Sequence, residues 1–331
     1  MSGGPSGQPA GSIEVMPYGP ELRAGLFALM GDVWGSWLSD AEFDWWYEGN
    51  PVRPGTISLA VVDGRVAGML AMSYARMRLN GQGQVAAFAI DGATHPDFRG
   101  RGIFQKLELE NERLAAEAGA EVAVGFTNPQ AGPILVGRVG WEDVRRLRLW
   151  VRVLRPLELV RRRGRPGGLR PRTGTARMRP IERFGAEAEN VASRVRYPDH
   201  VVRDAAYLNW RYTESPRGYR CLGAFRHGRL VGFAVLGHKL YRGISAAYIA
   251  DLVAPEGRDA RALLRRCVAE ARGGADAVIA LAGPFPGPFA AIGFVPTPAS
   301  IRLIGKPLSR GARLPADAKQ WHFSLGDSDI F

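Results

Sequence analysis

The two halves of this 331-residue chain carry the same series of residues, and this internal repeat constrains the fold more than any other feature. Trp45 in the first half is matched by Trp210 in the second, an offset of 165 residues, and Gly64 is matched by Gly228, an offset of 164. The other matches are Asp40 with Asp204, Phe43 with Tyr207, Tyr47 with Tyr212, Pro51 with Pro216 and Gly68 with Gly232. Two copies are fewer than a solenoid requires, so the repeat predicts a pair of similar domains.

The spacing of apolar residues in the first half predicts strands and helices in a mixed order. An Asp63-Gly64 turn between two apolar runs predicts a hairpin, and Ser39 predicts the start of a helix. The predicted strands are 13–16, 57–62, 65–78, 85–94, 122–126 and 145–154, and the predicted helices are 20–34, 40–48, 102–118 and 131–139. An antiparallel meander followed by strand–helix–strand predicts an α/β fold of the mixed, α+β type. Each copy is expected to be a mostly antiparallel central sheet flanked by helices.

A segment rich in Arg, Gly and Pro separates the two copies. It predicts a linker at 156–175, between a first domain at 13–155 and a second domain at 176–310. Each domain then has close to the roughly 150 residues that fold as one unit. Residues 1–12 are predicted to be a flexible tail, and residues 311–331 a C-terminal extension.

The sequence shows no targeting or membrane segment. The N-terminal tail lacks the charged and apolar regions of a signal peptide, and no apolar run approaches the roughly 20 residues that cross a bilayer. The only two cysteines, Cys221 and Cys267, lie far apart and form neither a disulfide framework nor a zinc motif. These features predict a cytoplasmic protein without a membrane partner and without a bound metal.

The net charge of +12 comes from one part of the chain. Between Arg145 and Arg179 there are 13 arginines and a single acid, Glu158, so the rest of the chain is close to neutral. This distribution predicts a solvated basic linker. The alternative is a docking site for an acidic partner, such as an acyl carrier protein or a nucleic acid, and we favour the linker.

The stretch most informative about function joins a strand to a helix through glycines. It reads Thr94-His95-Pro96-Asp97-Phe98-Arg99-Gly100-Arg101-Gly102-Ile103-Phe104. Such a turn leaves backbone N–H groups unpaired at the start of the helix, where the positive end of the helix dipole favours phosphate. Gly100 and Gly102 let a ligand approach the backbone closely, and Arg99 and Arg101 add positive charge. The stretch therefore predicts a phosphate-binding loop.

This segment resembles the acyl-CoA-binding motif of the GNAT superfamily of N-acetyltransferases, Arg/Gln-x-x-Gly-x-Gly/Ala after the fourth strand. Arg99 and Gly102 match the motif in register, whereas Phe104 stands where the family usually has Gly or Ala. The resemblance implies acetyl-CoA as co-substrate. It implies that the pyrophosphate is held by the backbone amides of Arg99, Gly100, Arg101, Gly102, Ile103 and Phe104. It also implies contacts of the pantetheine arm with Ala93, Thr94, His95 and Asn128.

The second copy lacks this loop. Its equivalent stretch, which begins at Asp251, retains a proline but only one glycine, and Glu256 and Asp259 would repel phosphate. We therefore predict that only the first copy binds acyl-CoA. The resemblance then extends to tandem members of the superfamily in which one copy is degenerate.

Transfer of an acyl group from a thioester to an amine needs a base for the amine and a donor for the oxyanion, and it often uses an acid for the thiolate. Asp91, eight residues before Arg99, is the candidate base or amine-binding residue. The alternative for Asp91 is a structural hydrogen bond. The backbone amide near Ala93 or Thr94 is the predicted oxyanion donor. The resemblance implies a Tyr acid on the fourth helix, but Val136 occupies that position.

Three functions remain open at this point. The first is an acyl-CoA-dependent N-acyltransferase that acts by direct attack of the primary amine of a small molecule, which the loop and the tandem layout favour. The second is an aminoacyl or long-chain acyl transferase with a tRNA or acyl-carrier-protein donor, which the basic segment favours. The third is a catalytically silent CoA-binding protein, which Phe104 and the missing Tyr favour.

Overall fold

The computed structural model describes residues 11–156, 177–195, 197, 199–241, 243–283 and 285–328. Nearly all of the predicted linker and most of the predicted N-terminal tail lie outside these residues. The elements of the first half are β1 (Ile13–Pro17), α1 (Arg23–Trp34), α2 (Asp40–Phe43), β2 (Thr56–Val62), β3 (Arg65–Leu79), β4 (Gln82–Thr94), α3 (Ile103–Glu117), β5 (Val122–Thr127), α4 (Gly132–Ile134) and β6 (Glu142–Val153).

The second half repeats this order of helices and strands and adds short strands. Its elements are β7 (Met178–Pro180), α5 (Ala186–Ser193), β8 (Asp199–Val201), α6 (Ala205–Leu208), β9 (Arg220–Arg226), β10 (Arg229–Tyr241), β11 (Ile244–Val253), α7 (Gly257–Ala271), β12 (Ala277–Leu281), α8 (Gly287–Ala290), β13 (Val295–Pro307) and β14 (Trp321–His322). Single π-helical turns follow α2, α4 and α6 at Asp44–Glu48, Leu135–Val139 and Asn209–Thr213.

Local sequence explains where several of these elements begin and turn. Ser39 and Glu42 form a capping box, with each side chain accepting a hydrogen bond from the other's backbone N–H, and α2 starts there. The β2–β3 hairpin turns at Asp63 and Gly64, whose φ angles are 50° and 78°. The β9–β10 hairpin turns at His227 and Gly228, with φ angles of 50° and 79°. Both hairpins therefore use the left-handed two-residue turn that suits the strand twist.

A single sheet joins the two halves. Its strand order is β1-β2-β3-β4-β5-β13-β6-β12-β11-β10-β9-β7, and the short β8 pairs with β3 and β14. Among these pairs, β4–β5, β11–β12 and β8–β14 are parallel and the others are antiparallel. The predicted mixed α/β fold, with a mostly antiparallel sheet flanked by helices, is confirmed.

Strand β6 of the first half and strand β13 of the second half each pair with strands of the other half. β13 lies between β5 and β6, so that Arg302 is opposite Thr127 on one side and opposite Arg146 on the other. β6 in turn pairs with β12 of the second half, with Ala277 opposite Val153. The predicted domain bounds separate the two copies along the chain, whereas the sheet connects them through this strand exchange.

Equivalent residues of the two copies also meet directly. The indole N–H of Trp45 donates to the carbonyl of Trp210 at 2.6 Å, and the indole N–H of Trp210 donates to the carbonyl of Trp45 at 2.8 Å. Trp46 stacks on Trp210 with ring centroids 5.5 Å apart, and the Arg211 guanidinium lies 4.8 Å from the Trp46 ring centroid. These reciprocal bonds place a local two-fold axis between the copies, so the repeated aromatic residues hold the halves together.

The C-terminal segment, residues 321–328, lies within the extension predicted at 311–331 and runs through the interior. Residues 321–328 are all buried, and Phe323 packs against Phe88 and Phe126 of the first half. The buried guanidinium of Arg203 binds Asp251 at 3.0 Å and Asp327 at 2.7 Å. The segment is therefore fixed to both halves.

Candidate functional site

The loop predicted to bind phosphate leads directly into α3. Gly100 and Gly102 have φ angles of 79° and 74°, in the left-handed region that favours glycine. Gly102 is the N-cap residue of α3, and no side chain caps the helix. The first backbone bond of the helix runs from Lys106 N to Gly102 O at 3.2 Å, so the amides of its first turn face outward as donors. This is the geometry in which a helix N-terminus binds an anion.

The two arginines of the loop have different surroundings. Arg99 is exposed, and its Nε donates to the carbonyl of Thr94 at 3.3 Å. Arg101 is partly buried, and its guanidinium donates to the carbonyl of Gly11 at 2.6 Å. Arg99 therefore has most of its guanidinium available beside the loop, whereas Arg101 is bonded to the start of the described chain.

A cleft opens between β4 and β5 next to this loop. The two strands pair only from Ala86 to Ala89 of β4, opposite Val122 to Gly125 of β5, and they diverge beyond those residues. The cleft has a volume of about 120 Å³. It is lined by Leu70, Ala89, Ile90, Asp91, Gly92, Phe104, Glu108, Gly125, Phe126, Thr127, Asn128, Ala131 and Leu135. Three of the predicted site residues, Asp91, Phe104 and Asn128, therefore meet in one cavity.

At the edge of β4 that faces the cleft, the backbone groups of Thr94 point toward the cleft. The backbone groups of His95 point away from it. The backbone N–H of His95 donates to the carbonyl of Ala67 at 2.9 Å, and its carbonyl accepts from Phe98 N at 3.0 Å. Because hydrogen bonds alternate along an antiparallel pair, Ala93 also faces β3, and the backbone groups of Thr94 face the cleft side. The backbone N–H and carbonyl of His95 are therefore both used within the protein, and the contact of the pantetheine arm with Ala93, Thr94 and His95 stays a prediction.

The His95 side chain is also occupied within the protein. The imidazole is buried, its Nε2 lies 2.7 Å from Arg65 Nη2, and its Nδ1 accepts from Asp97 N at 3.2 Å. His95 thus stabilises the turn at Pro96–Phe98 that precedes the loop.

Asp91 lies at a β-bulge near the C-terminal end of β4. The ladder with β3 passes from Gly92 to Ile90 and skips Asp91, whose φ angle is 30°. The hydroxyl of Tyr47 donates to Asp91 Oδ2 at 2.6 Å. Burial raises the pKa of the Asp91 carboxyl, while the Tyr47 bond and the charge of Arg217 lower it. Burial has the larger effect, so Asp91 is a stronger base than an exposed aspartate.

The second half contains the same pair of side chains. Tyr212, the repeat equivalent of Tyr47, donates to Asp251 Oδ2 at 3.1 Å, and Asp251 also borders a β-bulge. The Tyr–Asp pair is therefore a feature of the duplicated unit. Only in the first half does it line a cleft next to a phosphate-type loop.

Asn128 is exposed, and its side chain stabilises the turn before α4. Its Oδ1 accepts from the backbone N–H groups of Gln130 and Ala131, both at 2.9 Å. The oxygen is thus used within the protein, while the residue still lines the mouth of the cleft. Val136, at the position where the family's Tyr acid was expected, is partly buried among apolar side chains.

Sequence reasoning missed a buried charged cluster beneath the cleft. Glu112 Oε1 accepts from Trp141 Nε1 at 2.8 Å, and Glu112 Oε2 accepts from Lys306 Nζ at 2.6 Å. Glu108, one turn earlier on α3, is 2 % exposed. The signal was present in the sequence, because both glutamates fall on the face of the predicted helix 102–118 that also carries Phe104.

The second half keeps a cavity but not the loop. A cavity of about 430 Å³ is lined mainly by apolar residues of β11, β12 and α8, including Ile249, Leu281 and Phe289. Helix α7 starts beyond Glu256, which binds Arg258 at 2.7 Å, and Asp259 in its first turn binds Arg226 at 2.7 Å. The acidic first turn disfavours phosphate, as predicted from the sequence.

Three further properties bear on the class of protein. Within the described ranges, no group of three or more His, Cys, Asp or Glu side chains is placed to hold a metal ion. Over the same part of the chain, no helix is long and apolar enough to cross a membrane. Cys221 and Cys267 are both free and buried.

Comparison with known proteins defines the family. Residues 19–144 match the family model described as an acetyltransferase (GNAT) domain. No curated protein sequence matches the chain. The first half of the chain thus contains a GNAT acetyltransferase domain. The resemblance to the GNAT superfamily stated from the sequence is confirmed by this match.

Several solved structures share this fold over most of the chain. Saccharomyces cerevisiae N-myristoyltransferase, solved with bound myristoyl-CoA, is 12 % identical with a TM-score of 0.64, covering 89 % of this chain and 82 % of that one. A GCN5-related N-acetyltransferase from Anabaena variabilis is 14 % identical with a TM-score of 0.60, covering 90 % and 74 %. One from Kribbella flavida is 14 % identical with a TM-score of 0.60, covering 90 % and 71 %. At such low identity these structures are similar in fold alone.

Proposed function

We propose that this protein is an acyl-CoA-dependent N-acyltransferase, that its donor is acetyl-CoA, and that the donor binds to the first half. The observation that carries the proposal is the uncapped start of α3 at Gly102, which opens onto the cleft between β4 and β5. The N–H of Arg99 already donates to the carbonyl of Pro96 at 3.3 Å, so the pyrophosphate binds the amides of residues 100–104, which leaves the acyl arm next to that cleft. The small cleft volume of about 120 Å³ supports a short acyl group.

The acceptor in this proposal is the primary amine of a small molecule. The amine attacks the thioester carbonyl directly, and Asp91 accepts the proton that the amine loses. The backbone amide of Thr94 faces the cleft side of β4 and donates to the developing oxyanion. Arg217, from the second half, acts electrostatically on Asp91, so the second half reaches the reacting end of the cleft. We place the reaction in the cytoplasm, in keeping with two free cysteines.

The proposal is tested by ligand binding in matched glycine variants. Gly102→Val should abolish the rise in melting temperature that acetyl-CoA causes in the wild type, because valine is strained at a φ of 74° and blocks the amides. Gly228→Val is the control, since its φ of 79° imposes the same strain in the hairpin turn of the second half. The control should keep the full acetyl-CoA response.

The alternatives make different predictions in the same experiment. A response to acyl carrier protein or aminoacyl-tRNA, with none to acetyl-CoA, would replace this proposal with a carrier-linked donor. Much of the basic segment behind that alternative, residues 157–176, lies outside the described residues. An acetyl-CoA response without turnover across a panel of amines would leave a CoA-binding protein without catalysis.

A further inference from the structure

Glu108 is a buried carboxyl with an oxygen that has no partner. The side chain lines the cleft between β4 and β5, on the α3 side, together with Phe104 one turn before it. The residue is 2 % exposed, and its Oε1 has no hydrogen-bond partner within the described residues. A buried polar group of this kind costs free energy unless a ligand or a proton satisfies it.

The charges around Glu108 require it to be neutral. Glu108 and Glu112 lie one turn apart on the same face of α3, and among the residues that the structure describes a single cation, Lys306, faces both. The Lys306 ammonium is committed to Glu112 at 2.6 Å and to the carbonyl of Val139 at 2.8 Å. One partly buried cation balances one carboxylate, so the second, more deeply buried carboxyl keeps its proton.

The other elements packed against α3 bring no further cation to Glu108 in the part of the chain described. β2 faces the helix with Ser58, whose hydroxyl binds Asn111 at 2.7 Å. β4 contributes Asp91, an acid, to the same cleft. The π-helical turn after α4 contributes the Val139 carbonyl, and β13 contributes Lys306. Burial is the main cause that raises the pKa of Glu108 to about 8, with Glu112 adding to the rise and Lys306 opposing it.

We propose that Glu108 is protonated in the resting protein and that its carboxyl O–H donates a hydrogen bond to a carbonyl oxygen on the acyl-pantetheine arm of the bound donor. This inference rests on the proposed function, because it requires acyl-CoA in the cleft. Glu108 is then a positioning residue whose bond exists only while the carboxyl is neutral. The strand exchange contributes to it, because Lys306 lies on β13 of the second half.

The proposal predicts a proton-dependent affinity. If only the form with protonated Glu108 binds well, the affinity for acetyl-CoA falls roughly tenfold between about pH 7 and about pH 9, because the fraction of protein with protonated Glu108 decreases. Glu108→Gln keeps a neutral donor of the same shape, so the affinity of this variant for acetyl-CoA should stay constant over that range, in contrast to the wild type. Glu117→Gln is the matched control, since Glu117 lies on the same helix with its side chain 62 % exposed, and it should behave as the wild type.

Two donor analogues identify the carbonyl that accepts the bond. The thioether S-ethyl-CoA lacks the thioester carbonyl but keeps the pantetheine amides. A tenfold fall for acetyl-CoA alone assigns the bond to the thioester, and the same fall for both ligands assigns it to a pantetheine amide. Isothermal titration calorimetry at several pH values gives these affinities for the wild type and both variants.

The outcomes separate this inference from the proposed function. Affinity for acetyl-CoA that depends equally on pH in the wild type and in Glu108→Gln overturns the inference and leaves the function intact. No binding of acetyl-CoA at any pH overturns both. Carbon-13 NMR of labelled glutamate provides an independent reading. A carboxyl that titrates near pH 8 and disappears in Glu108→Gln supports the inference, and the absence of such a signal contradicts it.

Discussion

At the scale of single residues, the buried carboxyls of the first half determine how the protein responds to pH. Glu108 has its pKa raised to about 8 by burial, far above the value of the same group in the unfolded chain. A carboxyl with a raised pKa binds a proton in the folded state that the unfolded state has already lost. Stability then falls as the pH rises from the unfolded pKa through the folded one.

Replacement of Glu108 should therefore change the pH dependence of stability. Relative to Glu108→Gln, the wild type should lose up to about 1.4 kcal/mol of unfolding free energy per pH unit between about pH 5 and about pH 8. Urea unfolding at several pH values measures this difference. Parallel curves for the two proteins would show that Glu108 is ionised in the folded state. Glu117→Gln should leave the curve of the wild type unchanged.

The Tyr47–Asp91 pair provides a second test at this scale, with a built-in control. Tyr47→Phe removes the hydrogen bond at 2.6 Å to a largely enclosed carboxylate, so it should cost about 1–3 kcal/mol and raise the pKa of Asp91 further. Tyr212→Phe removes the equivalent bond to Asp251 at 3.1 Å and should cost a similar amount of stability.

The difference between the two variants lies in the reaction. If Asp91 is the base, the acidic limb of the pH–rate profile should move to higher pH in Tyr47→Phe and stay in place in Tyr212→Phe. Asp91 must lose its proton before it accepts one, and a raised pKa delays that loss. Equal profiles for the two variants would assign Asp91 to structure alone.

At the scale of secondary-structure elements, the two copies differ most at the start of one helix. Helix α3 starts at a glycine in the left-handed conformation without acidic residues in its first turn, whereas α7 follows Glu256 and carries Asp259 in its first turn. Negative side chains at a helix N-terminus satisfy the dipole that phosphate would otherwise satisfy. The two copies have the same fold, but we expect only the first copy to bind an anion at its helix N-terminus.

This difference predicts that each chain binds a single acetyl-CoA. Calorimetric titration should fit one site per chain, and Gly102→Val should remove all of the heat of binding. A second site that survives in Gly102→Val would place a donor in the second half, in its cavity of about 430 Å³.

At the scale of the whole molecule, the two halves form one structural unit. β13 lies between β5 and β6, β6 pairs with β12, and Trp45 and Trp210 exchange hydrogen bonds across the local two-fold axis. The C-terminal segment adds the buried contacts of Phe323 and of Arg203 with Asp327. The sheet of each half is thus completed by a strand of the other half.

Cleavage between the halves should therefore leave them associated. A protease site inserted within residues 157–176 allows the chain to be cut after folding, and the two pieces should elute together in size-exclusion chromatography with acetyl-CoA binding retained. The first half expressed alone should aggregate, because β5 and β6 would each have an unpaired edge. Pieces that separate after cleavage, each folded, would contradict the exchanged sheet.

Much of this protein was determined by local sequence. The repeat at an offset of 164 to 165 residues predicted two similar copies, and capping residues and turn glycines predicted the elements to within a few residues. The loop at Arg99 to Phe104 predicted its own geometry, because Gly100 and Gly102 stand where the backbone needs positive φ. These features depend on backbone conformation and on periodicity, both of which are properties of neighbouring residues.

Only the tertiary structure decided which distant residues share a site. No sequence pattern predicted that β13 inserts beside β5. The ion pair between Lys306 and Glu112, which are 194 residues apart along the chain, was therefore not expected. The direction of His95 depended on its pairing with Ala67, and the role of Trp45 depended on its partner in the other copy. Hydrogen bonding and the pairing of buried charges act through space, and the register of a sheet sets those neighbours after the chain has folded.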